Sequence, residues 1–211
     1  MLLPSSGRQN ACLRIHKLMM REDHPYVSRG GIKLEKALEA FNIDASGYVC
    51  LDVGASTGGF SDCLLRQGAV RVYAVDVGYG QLAWKLRTDP RVIVIERTNI
   101  RYMPQEAVQE SIDLATVDVS FISLKIVIPS VLKFMKKGGS IVSLIKPQFE
   151  VAKNLVEKGG VVRDPSLHDA VLKDLIAFFE NIGLICRPVI PSPILGPKGN
   201  REFLIHLAPI I

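Results

Sequence analysis

Residues 48–65 read YVCLDVGASTGGFSDCLL, and this stretch constrains the fold more than any other. A short apolar run, 48–51, meets a carboxylate at Asp52. A turn of small residues follows, Gly54-Ala55-Ser56-Thr57-Gly58-Gly59, and an amphipathic segment begins at Phe60. The pattern is strand, tight loop, helix. Glycines let the backbone approach a ligand closely. The first turn of the new helix presents unpaired N–H groups to whatever sits there. This is the nucleotide-cofactor edge of a doubly wound α/β fold.

The residues narrow the cofactor. A Walker loop would end in Gly-Lys-Ser/Thr, and this one does not. The dinucleotide fingerprint G-x-G-x-x-G is not matched either, because Ser56 stands between Gly54 and Gly58. Asp52 would repel a pyrophosphate. It suits a cationic ligand end, such as the amino group or sulfonium of S-adenosylmethionine. A ligand-free turn is the plain alternative, but the run of small residues exceeds what a turn needs.

A chain of 211 residues, 48% hydrophobic, predicts one α/β domain with a sizeable core. No apolar run is long enough to span a bilayer, and no secretory signal pattern opens the chain. Cys12, Cys50, Cys63 and Cys186 show no C-x-x-C spacing, which favours a reduced cytoplasmic protein without a metal site. The net charge of +5 and the pI near 9.1 favour a polyanionic partner. The excess gathers early: Arg8, Arg14, Lys17, Arg21, Arg29, Lys33 and Lys36 stand against Glu22, Asp23 and Glu35.

Ser28-Arg29-Gly30-Gly31 reads as a flexible hinge before a helix with Leu34, Ala37, Leu38 and Phe41 on one face. Strands are predicted over 48–52, 70–75, 92–95, 112–117 and 140–145. Helices are predicted over 59–66, 81–86 and 124–135, the last closed by Lys136-Lys137-Gly138-Gly139. Residues 148–163 form a polar loop. Asp164-Pro165 caps a helix running to about residue 181. Two β-rich runs, 184–191 and 202–207, are joined by a short connection and predict an antiparallel hairpin. The expected architecture is a mostly parallel seven-stranded sheet with a C-terminal antiparallel hairpin.

Asp76, Asp118 and Lys146 stand at the C-terminal ends of predicted strands, the edge at which open α/β sheets bind ligands. Asp76 follows Asp52 at about the spacing, roughly 20 residues, at which an acid meets a ribose hydroxyl pair.

From Tyr26 to Leu207 the chain resembles the TlyA/hemolysin A family of RNA 2′-O-methyltransferases, within the wider FtsJ-like group. The segments that carry the resemblance are YVSRGGIKLEKAL, LDVGASTGGFSDCLL, VYAVDVGYGQLAWKLR, ERTNIR, DVSFISL, LIKPQFE and GNREFL, in collinear order. The resemblance implies a Rossmann-like methyltransferase fold and a Lys-Asp-Lys-Glu catalytic set, which falls on Lys33, Asp118, Lys146 and Glu202. It implies that Asp52, Gly54, Ser56, Gly58 and Phe60 cradle S-adenosylmethionine. It also implies that Asp76 holds the ribose hydroxyls and that Thr98 and Asn99 lie near the adenine or its ribose. Arg29 and Lys36 are the expected RNA contacts, and no metal is expected. Family members carry an N-terminal S4-type RNA-binding domain that residues 1–25 are too short to form. Residues 1–27 are therefore read as a basic tail or remnant, and 28–211 as the methyltransferase domain.

A ribose 2′-hydroxyl is a weak acid and must lose its proton as it attacks a methyl group. A lysine takes that proton when burial and a nearby cation favour its neutral form. On this reading Lys146 is the base, Lys33 the nearby cation, and Asp118 and Glu202 orient the amines. The expected acceptor is RNA, and within it ribosomal RNA. Base N-methylation would place prolines after Asp118, where Val119-Ser120-Phe121 stand instead. A C5 mechanism would need a cysteine at strand 4 or 5, and neither predicted strand has one. Two other classes compete with this reading: a membrane-acting hemolysin, and an RNA-binding protein that keeps the fold without turnover.

Overall fold

The computed structural model describes residues 24–210. Alternation along the strands builds the centre of the molecule. Leu51 and Val53 on β1 (Val49–Val53), Tyr73 and Val75 on β2 (Arg71–Val75), and Ala115 and Val117 on β4 (Ile112–Val117) point to one side of the sheet. Cys50, Val72, Ala74 and Leu114 point to the other. Both faces are apolar, so both must be covered, as in other parallel sheets. Helices α4 (Leu124–Val131) and α5 (Pro165–Asn181) cover the first. Helices α1 (Gly30–Phe41) and α2 (Gly59–Arg66) cover the second.

Strands β1, β2, β3 (Val92–Ile95), β4 and β5 (Met135–Ile145) pair in parallel. The final strand, β8 (Phe203–Pro209), inserts antiparallel between β5 and β6 (Leu184–Cys186), giving the order β3-β2-β1-β4-β5-β8-β6. The expected hairpin is present, but the sheet has eight strands rather than seven. The run 184–191 breaks at Arg187-Pro188, where proline offers no N–H to the ladder, and resumes as β7 (Ile190–Pro191), which also pairs with β8. Two other boundaries move. Helix α4 stops at Val131, and β5 begins at Met135, so Lys136-Lys137-Gly138-Gly139 lies within an irregular strand rather than closing a helix. The expected helix over 81–86 is one turn, α3 (Trp84–Arg87).

The predicted hinge at Ser28–Gly31 is a packing contact. Gly30 and Gly31 already belong to α1, and a Cβ at Gly31 would collide with the Tyr26 ring. Tyr26 and Val27, assigned to the tail from sequence, are built into the fold. Tyr26 is buried, with its hydroxyl donating to Glu35 at 2.7 Å, and the Val27 N–H donates to Asp62 at 2.8 Å. Arg8, Arg14, Lys17, Arg21 and Cys12 lie outside the described residues. Among the described residues, no helix is long and apolar enough to cross a membrane, and no three metal-ligating side chains gather.

Candidate functional site

The parallel strands all end at one edge, and their C-terminal residues and following loops build the site. The turn after β1 is bent by left-handed residues at Gly54 (φ +83°), Ser56 (φ +48°) and Gly58 (φ +95°). Both glycines are required by contact as well as by backbone. A Cβ at Gly54 would stand 2.5 Å from the Asp118 carbonyl oxygen, so the turn lies directly against the end of β4. A Cβ at Gly58 would strike Leu82 and Leu86 beneath α3.

Two cavities open on this edge. The larger, about 510 Å³, is lined by Gly54, Ser56, Asp76, Thr98, Asn99 and Asp118, among others. The smaller, about 220 Å³, runs between Arg29, Lys33, Gly54, Phe60, Asp118 and Pro197. Gly54, Ser56 and Asp118 line both. The cavities therefore adjoin at the turn and at the end of β4.

Asp76 faces the larger cavity with its carboxylate fixed from both sides. Oδ2 accepts from the Ser56 N–H at 2.7 Å and Oδ1 from the Gly78 N–H at 2.6 Å. Each oxygen keeps a lone pair for a further donor. Thr98 and Asn99 follow β3, and their side chains bond locally: the Thr98 hydroxyl donates to the Glu96 carbonyl, and Asn99 accepts from the Arg101 N–H. Gln81 was not anticipated from sequence. It lines the same cavity and accepts a 3.3 Å hydrogen bond from the Ser56 hydroxyl.

Asp52 departs from expectation. It does not face the cleft to meet a cationic ligand end. It shares the Cys50 face of β1, beneath α2, and is wholly buried. Its oxygens accept from the Ser61 hydroxyl at 2.6 Å and from the hydroxyl of Thr116, its register partner on β4, at 3.0 Å. Burial pushes its carboxyl up to about 6, against the opposing pull of the two hydroxyls. Asp52 thus braces the turn from below. Gly58 lines neither cavity, and Phe60, also buried, lines only the smaller one.

The four candidate catalytic residues form two ion pairs. Lys146, just past β5, places Nζ 2.5 Å from Asp118 Oδ1 and 3.1 Å from the Ser120 hydroxyl. The Asp118 contact is ionic but not aligned as a hydrogen bond. Lys33, on α1, places Nζ 2.5 Å from Glu202 Oε2, and both residues are buried. Glu202 Oε1 has no hydrogen-bond partner among the described residues. Lys33 and Asp118 share the smaller cavity, so the two pairs meet on one site.

Of the expected RNA contacts, Arg29 is exposed at the smaller cavity. Lys36 is not brought there. It pairs with Glu39 at 2.8 Å on the outer flank of α1. Phe121, at the mouth of the larger cavity, is 90% exposed with a left-handed backbone and packs on Phe149, ring centroids 4.9 Å apart. Glu150 holds the start of α4, accepting from the Ser123 hydroxyl and the Leu124 N–H, and burial raises its carboxyl. Both residues fall inside the motifs DVSFISL and LIKPQFE, but nothing in the sequence distinguishes their roles.

The model of the FtsJ-like methyltransferase family matches residues 26–208. The chain belongs to that family. It is 49% identical over 185 residues to 16S/23S rRNA (cytidine-2′-O)-methyltransferase TlyA of Mycobacterium tuberculosis, covering 88% of this chain and 69% of that one. It is 51% identical over 183 residues to YqxC of Bacillus subtilis, covering 86% of this chain and 65% of that one. The chain thus spans about two thirds of the length of these relatives. A solved structure from Streptococcus thermophilus, described as a candidate hemolysin, superposes with a TM-score of 0.86 at 46% identity, covering 90% of this chain and 69% of that one. The chain has the Rossmann-like sheet of that family, and the cavities at its strand ends lie where that fold binds ligands.

Proposed function

We propose that this protein is an S-adenosylmethionine-dependent RNA ribose 2′-O-methyltransferase acting on ribosomal RNA in the cytoplasm. One observation carries the reading: the larger and smaller cavities meet at Gly54, Ser56 and Asp118, with Lys146 paired to Asp118 at the junction. A methyl donor in one cavity and a hydroxyl in the other would face each other there.

The residues of the larger cavity fit S-adenosylmethionine. Asp76, fixed by two backbone N–H groups, has acceptor capacity left for a ribose diol. Thr98 and Asn99 would border the adenine side, and the Gly54–Ser56 turn the methionine side. When bound, S-adenosylmethionine supplies an electrophilic methyl group on a sulfonium.

With the ribose in the smaller cavity, Lys146, held beside Asp118 at the junction, would in its amine form take the proton of the 2′-hydroxyl. Asp118 would hold that amine in line and balance the resulting ammonium. Lys33, anchored by Glu202, would supply positive charge beside the oxygen as it loses its proton. Much of the remaining acceleration is positioning of the hydroxyl against the methyl group.

The surface around the cavities suits RNA. The Arg97 guanidinium lies 4.1 Å over the Tyr79 ring and that of Arg101 4.9 Å over Tyr102, while Phe121 offers an open aromatic face. Basic groups interleaved with exposed aromatics bind a polyanion and stack its bases.

The test is transfer of a tritiated methyl group from S-adenosylmethionine to ribosomal subunits and naked ribosomal RNA, followed by nucleoside mapping. Wild type should label a ribose 2′-oxygen. Lys146→Ala should reduce labelling by about a hundredfold or more, the usual contribution of a placed acid–base group. Label on a base would overturn the mechanism.

A further inference from the structure

Glu202 sits in a loop, and among the described residues its carboxylate has Lys33 as its one hydrogen-bond partner. Its carbonyl accepts from the Ser192 N–H at 2.9 Å, and Gly196 lies so close that a Cβ there would strike the carboxylate. The loop 192–202 is held in turn by a side chain that the mechanism does not use. Asn200 is buried, 3% exposed. Its Oδ1 accepts from the Val162 N–H at 3.1 Å, and its Nδ2 donates to the Gly160 carbonyl at 2.9 Å and the Pro197 carbonyl at 3.2 Å. One amide thus joins two loops that are remote in sequence. The far loop is itself fixed: the residues Glu157 and Val161 bridge, Arg163 pairs with Glu157, and buried His168 of α5 donates to the Val162 carbonyl at 2.8 Å.

We propose that Asn200 is a positioning residue that sets where Glu202 meets Lys33, and that residues 157–162 are the strut it works against. The inference rests on the methyltransferase reading for its effect on turnover, but not for its effect on the ion pair. Only an amide matches the site. Aspartate would set a carboxylate against two carbonyl oxygens, and serine, with a single O–H, cannot donate to both of them. Neither strut nor amide lines the larger cavity, so donor binding is separate from this contact.

Two measurements on Asn200→Ser test it. The first is the acetylation rate of Lys33 by mass spectrometry, with exposed Lys36 on the same helix as reference. The second is single-turnover methyl transfer together with S-adenosylmethionine affinity by calorimetry. Displacement of Glu202 should raise the Lys33:Lys36 reactivity ratio at least fivefold. It should also lower the transfer rate at least tenfold, with cofactor Kd held within twofold. An unchanged reactivity ratio overturns the inference, as does a parallel loss of rate and cofactor affinity. If wild type methylates no RNA, the functional reading fails, and the Lys33:Lys36 ratio still decides the role of Asn200.

Discussion

Asp52→Asn should stabilise this protein in a pH-dependent way. The carboxyl is wholly buried and sits at about 6 instead of its ordinary 3.8. That gap corresponds to about 3 kcal/mol by which folding disfavours the ionised form. Because the folded value is raised, the cost is absent while both states are protonated, below about pH 4. It develops as the unfolded chain ionises and is complete once the pH has passed about 6. Asparagine removes the charge and keeps the shape. Its carbonyl can accept from one of the Ser61 and Thr116 hydroxyls and its amide can donate to the other. Reversing one hydroxyl costs on the order of 1 kcal/mol at every pH. The variant should therefore be up to about 1 kcal/mol less stable than wild type at pH 4 and about 2 kcal/mol more stable at pH 8, a swing of about 3 kcal/mol. For a chain of this size that swing corresponds to roughly 6–12 °C in the Tm difference. Thermal melts of both proteins at pH 4, 6 and 8, followed by circular dichroism, read this directly. A variant-to-wild-type difference that is constant across the range would refute the assignment of Asp52 as a charge held against its own burial.

Other perturbations bear on the site itself. Gly54→Ala places a methyl group against the Asp118 carbonyl in a left-handed backbone, and should cost about 2–4 kcal/mol by denaturant melts and weaken cofactor binding by calorimetry. Glu202→Ala leaves the buried Lys33 ammonium without its partner and should cost about 3–5 kcal/mol. The double variant Lys33→Met/Glu202→Gln should recover most of that stability without recovering methyl transfer; recovery of both would remove the pair from the mechanism. Purified protein should cause no dye leakage from anionic liposomes at concentrations that methylate RNA. Leakage that survives Lys146→Ala would support a membrane-acting role instead.

The sequence carried far into the donor side of the site. A strand, a run of small residues and an amphipathic helix are local features. The bend at 54–58 follows from residues that tolerate left-handed backbone, and Asp76, Asp118 and Lys146 sit at strand ends because apolar runs stop there. The Asp118–Lys146 pair was legible for the same reason: both close neighbouring parallel strands, so their side chains emerge at one edge. The motif GNREFL pointed to Glu202 only through resemblance, and it gave no sign that Asn200 holds the loop.

Sequence alone therefore determined the strand–turn–helix unit, the parallel order of its neighbours as a class, and which edge would carry charge. All of these follow from short-range periodicity and turn chemistry. The tertiary structure decided the rest. It turned Asp52 inward, because the face of β1 on which it lies is roofed by α2. It drew Lys33 to Glu202 across 169 residues by inserting β8 beside β5 and laying α1 over that side of the sheet. It left Lys36, one turn further along α1, on the outer flank. Pairings of this kind depend on which elements pack together, and no local pattern in either segment encodes that choice.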